Sequence, residues 1–164
     1  MKKYLIILFV FCAQLSKGQE VNLSDFEGLL GHWKGTLTYL NYADDKTNFT
    51  LETQLKSIVE GNEIKMSFSY IEPNGEIVEG HEKIEVSERK GKWYINKKWK
   101  VLSFDTNENG WVLLLEIRGK DNNRKSTMQR KVTFATSSLR IEKQVRYDGT
   151  DRFFQRHIYE LESI

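Results

Sequence analysis

Leu29-Leu30-Gly31-His32-Trp33-Lys34-Gly35-Thr36-Leu37-Thr38-Tyr39 is the stretch on which the fold of this chain turns. From Trp33 the apolar residues change from helical spacing to a period of two. Trp33, Gly35, Leu37 and Tyr39 fall on one face, with Lys34, Thr36 and Thr38 on the other, which is the signature of a half-buried strand. Just upstream, Ser24-Asp25-Phe26-Glu27 has the form of a capping box and predicts a short helix with Phe26, Leu29 and Leu30 as its apolar side. Gly31 supplies the corner between them, where a β-carbon would obstruct. Gly35, inside the strand, marks a bend or the close approach of another backbone. Together these residues read as a plug of Phe, Leu and Trp at the mouth of a first strand.

Downstream, short alternating segments are separated by turn residues. Phe49, Leu51, Leu55 and Val59 share one parity, and Ile64, Met66, Phe68 and Tyr70 share the next, before Pro73-Asn74-Gly75 turns the chain. Val78, Gly80, Glu82, Ile84 and Val86 form a fourth face. A fifth strand runs from Trp93 through Trp99 to Phe104, with a bulge placed at Asn96-Lys97-Lys98. Trp111 to Leu115 is apolar on both faces, which predicts a strand covered on both sides. Met128, Arg130, Val132 and Phe134 follow, then Leu139, Ile141, Val145 and Tyr147, and a last strand from Arg152 to Leu161. The result is an all-β meander of about nine or ten antiparallel strands in one domain. Such a sheet removes its edges by closing, so a single up-and-down barrel of about eight to ten strands is expected, with the short helix closing one end.

The amino terminus reads differently. Met1-Lys2-Lys3-Tyr4 followed by Leu5 to Ala13 has the cationic start and short apolar run of a secretory signal peptide, and Ser16 and Gly18 place cleavage before Gln19. That divides the chain into a signal peptide, residues 1–18, and a β-barrel domain, residues 19–164, secreted or periplasmic. The apolar run is too short to span a membrane, and Phe11 before Cys12 argues against a lipid anchor. Of 25 Lys+Arg, Lys2, Lys3 and Lys17 leave with the signal, so 22 remain against 23 Asp+Glu. That near-neutral balance gives no support for a nucleic-acid partner. The single cysteine, Cys12, is also removed, which excludes disulfides and thiolate chemistry from the mature domain.

A short helix, Gly31-x-Trp33 opening the first strand, a long meander and a late basic residue resemble the lipocalin and wider calycin group. The resemblance implies a closed barrel whose Trp33 plugs one end, with a basic side chain from the last strands packed across its indole. Arg156 is the favoured candidate and Arg146 the other, and such a contact ties the first strand to the last.

Few residues suggest chemistry. His81 falls on the outward parity of its strand and reads as surface. His157 shares a face with Phe153, Tyr159 and Leu161 and is expected to be a polar group in an apolar interior. Glu82 and Arg130 each interrupt an apolar face, so they either pair or meet a ligand. With Tyr70, these make a candidate ligand-binding set of Tyr70, Glu82, Arg130 and His157; Gly31, Trp33 and Arg156 are the candidate closure residues. No catalytic or metal-binding pattern, and no cofactor motif, is present in the sequence. The expected function is that of a lipocalin-like binding protein for a small apolar ligand. Two alternatives stand beside it: a cell-envelope interaction or structural barrel with a filled interior, and a haem-binding barrel resembling the nitrobindin type, which also begins Trp-x-Gly, here with His157 as ligand.

Overall fold

The computed structural model describes residues 20–164, so the expected signal peptide lies outside the described residues. A 3₁₀ helix, Leu23–Leu29, precedes eleven strands: β1 Gly31–Leu40, β2 Asn48–Glu60, β3 Glu63–Ile71, β4 Ile77–Ile84, β5 Val86–Arg89, β6 Lys92–Ile95, β7 Trp99–Asn107, β8 Gly110–Asp121, β9 Arg124–Ala135, β10 Ser138–Tyr147 and β11 Phe154–Ser163. They form one antiparallel sheet in the order β4-β3-β2-β1-β11-β10-β9-β8-β7-β6-β5. Among the described residues no helix is long and apolar enough to cross a membrane.

The two edge strands are consecutive in the chain. Because every neighbouring pair is antiparallel, β4 and β5 run in the same direction, with only Glu85 between them. They act as one bent strand, pairing with β3 along its first half and with β6 along its second. No ladder joins β4 to β5, so the sheet is not closed by hydrogen bonds. The side chain of Asn96 takes over at the corner. Its Oδ1 accepts from Glu85 N–H at 2.9 Å, its Nδ2 donates to the Lys83 carbonyl at 2.7 Å, and its own N–H donates to the Glu85 carbonyl at 2.8 Å. The fifth strand of the sequence reading is therefore two strands, β6 and β7. Asn96 and Lys97 both adopt positive φ, 53° and 60°, and make a turn where a bulge was expected.

The inward parities follow the sequence. Trp33, Leu37, Leu55, Ile64, Met66, Phe68, Leu113, Leu115, Val132, Leu139, Ile141, Tyr159 and Leu161 join one buried cluster. The helix inserts Phe26 and Leu29 into it, with Phe26 edge-on to Trp111 at 5.2 Å. Its start differs from the expected box: the Asp25 carboxylate accepts from Asn22 N–H at 2.7 Å, so the chain turns two residues before Ser24. Val112 and Leu114 are half-buried, so β8 is covered on one face and not on both.

Gly31 has φ +115°, a conformation that side chains rarely permit. Gly35 serves the second purpose expected of it: a β-carbon there would stand 2.0 Å from the Glu160 carbonyl oxygen. Strands β1 and β11 approach at this point as only glycine allows.

Candidate functional site

The expected contact between a late arginine and the Trp33 indole does not form. Trp33 donates its indole N–H to the Leu29 carbonyl at 2.9 Å and lies edge-on to Phe134. It pairs with Ser163, whereas Arg156 lies beyond His157, the partner of Tyr39. Six strand residues separate the two levels, about 20 Å at strand rise. Arg146 is engaged elsewhere, over the ring of Phe153 at 4.9 Å.

Arg156 lies toward the opposite end of β11 from Ser163, the partner of Trp33. In β10, Lys143 pairs with His157 and Gln144 with Gln155, which leaves Arg156 as the extra residue of a bulge. A bulge re-aims a side chain. Here it turns Arg156 inward to complete burial, where Nη1 meets Asp45 Oδ1 at 2.8 Å and Nη2 meets Asp121 Oδ2 at 2.8 Å and Tyr147 Oη at 2.7 Å. Asp45 belongs to the turn after β1, and the carbonyl of Tyr42 in the same turn accepts from Asn122 Nδ2 at 2.9 Å. The turn after β1 thus straps across to the β8–β9 turn.

Between these two ends lie the four residues singled out from sequence. Arg130 on β9 reaches Glu82 on β4 through two hydrogen bonds of 2.7 and 3.2 Å, and its guanidinium lies 5.1 Å from the Trp99 ring. The Tyr70 and Tyr159 hydroxyls are 2.9 Å apart. His157 stands edge-on to Tyr159 at 5.4 Å. Burial pushes both phenols above their ordinary range, so both keep their protons. One hydroxyl donates to the other, which leaves the second proton free to bond elsewhere.

Burial, followed by the charges of Arg130 and Lys143, pulls His157 down to about 3. The imidazole is therefore neutral at physiological pH. Its Nε2 is buried without a partner, and so is the Nε of Arg130. Ser57 Oγ, Trp111 Nε1, Ser126 Oγ and Arg156 Nε are buried without a partner as well, so what sets this group apart is that two such atoms stand together beside the Tyr70–Tyr159 pair.

Beneath the Arg130–Glu82 pair is a cavity of about 30 Å³ lined mainly by Leu29, Met66, Ile95, Leu113, Leu115 and Ile141. It has room for about one water.

Tyr159 was missed as a site residue in the sequence, although its parity with His157 was legible. Asp121, Asp45 and Lys143 were missed because their roles depend on the bulge at Arg156. His81 lies outward, 3.9 Å from Glu79 and away from this group. Compared with known proteins, the chain matches no family model and no curated protein.

Proposed function

We propose that the chain is a lipocalin-like binding protein, secreted or periplasmic, whose rolled sheet acts as a barrel and holds a small, largely apolar molecule. The polar end of that molecule would sit at Arg130, Tyr70, Tyr159 and His157, and its apolar part among Met66, Leu113, Leu115 and Ile141. The observation that carries this reading is the convergence of one guanidinium, two phenols and a neutral imidazole beside an apolar core, with two of their donor or acceptor atoms orphaned. A structural core gains little from such a group, because a half-satisfied polar network is worse than hydrocarbon. A binding site gains orientation and selectivity from it.

Glu82 completes the geometry by pairing with Arg130. Its side chain is 36% exposed against 18% for Arg130, so it is the partner that can swing to water. Entry of a ligand then exchanges one partner of Arg130 for another and opens the small cavity beneath.

A filled-interior protein that works through its surface is the second reading, and the size of that cavity favours it. Native mass spectrometry of protein taken from its own host separates the two. The binding reading expects a retained small molecule, lost in Arg130→Met, and a change in Trp99 fluorescence when it is extracted. Protein of bare mass, with no ligand recovered from a host lipid extract, overturns it.

A further inference from the structure

Charge is not spread evenly over this near-neutral chain. On the outward face of β8, β9 and β10, Arg118 and Arg146 flank Thr127 in register, and Lys120 lies directly opposite Lys125 one step nearer the strap. Thr127 is buried between the arginines. Arg152, in the loop after β10, is exposed beside them. The acids among them are Asp148, 3.6 Å from Arg118, Asp151, and Glu116 two residues from Arg118 on the same face of β8. A shallow groove of about 390 Å³ runs through the group, lined by Arg118, Thr127, Arg146, Asp148 and Thr150. Among the described residues Lys120 and Lys125 have no ion-pair partner. Two lysines directly opposed across a strand pair repel one another and cost the fold stability.

One aromatic residue borders this patch: Phe153 is half-buried under Arg146. Rows of cations on a broad sheet face, with an aromatic ring at the rim, suit a flat anionic interface. They suit nucleic acid less well, since no aromatic side chains interleave with the cations to stack bases.

We propose that this strap-end face, built on Arg118, Lys120, Lys125, Arg146 and Arg152 with Phe153 at its edge, docks on an anionic phospholipid surface. The inference does not depend on the interior binding any ligand. It requires only that the surface charge find its counterpart, and it predicts weak, reversible, salt-sensitive adhesion.

Sedimentation of the purified protein with vesicles tests it. Vesicles containing about 30 mol% phosphatidylglycerol should carry the protein down at low salt, and phosphatidylcholine vesicles should not. Lys120→Ser with Lys125→Ser should lower partitioning about thirtyfold, while Glu72→Ser with Glu76→Ser, on the β3–β4 turn, should leave it unlowered. The lysine double variant should unfold at the same temperature as the parent or higher, which separates lost docking from lost folding. Absence of sedimentation with phosphatidylglycerol overturns the proposal. So does equal or tighter binding to heparin or single-stranded DNA at the same ionic strength, which would make the patch a general polyanion site.

Discussion

Arg156 and Asp121 form a 2.8 Å ion pair between two side chains that are both closed off from water, and Lys143 reaches the same carboxylate at 2.8 Å. Bringing such charges out of water costs several kcal/mol per ion, so the cluster holds only while every member has its partners. Arg156→Gln should therefore destabilise the protein by about 3–5 kcal/mol in urea unfolding. Asp45 is a third exposed, and Asp45→Asn should cost far less, about 1 kcal/mol. Equal and small effects of the two would show that the bulge, and not the ion pair, fixes this end of the sheet.

How far all this could be read from sequence depends on the range of the interaction. The inward rows of β1 and β3 follow from alternation alone, and so does the isolation of Glu82 and Arg130 on apolar faces, which is why their pairing was anticipated as one of two outcomes. Arg156 was legible as important and misplaced as to end. Its direction is set by one extra residue opposite Gln144, and nothing in Gln155-Arg156-His157, which holds no glycine and no break in pattern, marks a bulge there. Asn96 was legible only as an irregularity. That its amide substitutes for a missing strand depends on the Lys83 and Glu85 backbone, eleven to thirteen residues away.

The neutral His157 makes stability depend on pH. Its folded value of about 3 lies below the ordinary 6.5, with burial as the leading cause. The unfolded chain therefore binds the proton more readily, and folding stability is intact above about pH 6.5 and declines as pH falls toward 3. At pH 4 the loss from this residue should be about 3 kcal/mol. His157→Gln, which does not titrate, should flatten the stability profile between pH 7 and 4 when followed by denaturant unfolding. An unchanged slope in the variant would assign the acid sensitivity to the carboxylates instead.

Gly35→Ala tests the contact between the first and last strands. The added methyl would meet the Glu160 carbonyl oxygen at 2.0 Å and the Leu161 Cα at 2.9 Å, both backbone atoms that no side-chain rotation can move. The strands must part, and a loss of about 3 kcal/mol or more is expected, with faster amide exchange at Leu37 and Tyr159. A loss below 1 kcal/mol would mean that β1 and β11 separate here at little cost.

The corner at Glu85 is the last element that can be tested in isolation. Two side-chain hydrogen bonds from Asn96 hold the end of β4 to the start of β5, and they do so from a left-handed conformation that asparagine tolerates better than alanine does. Asn96→Ala should lose both bonds and incur backbone strain, a total of about 2–4 kcal/mol. Asn96→Gly should recover the conformational part and none of the bonds, so it should fall between the parent and alanine. Hydrogen exchange supplies the local reading, because the Glu85 amide donates to Asn96 Oδ1 and should lose protection in both variants, while amides on β9 and β10 keep theirs. If Glu85 stays protected in the glycine variant, β4 and β5 are held together by the packing of Ile84 and Val86 against the core, and the asparagine is incidental to the seam.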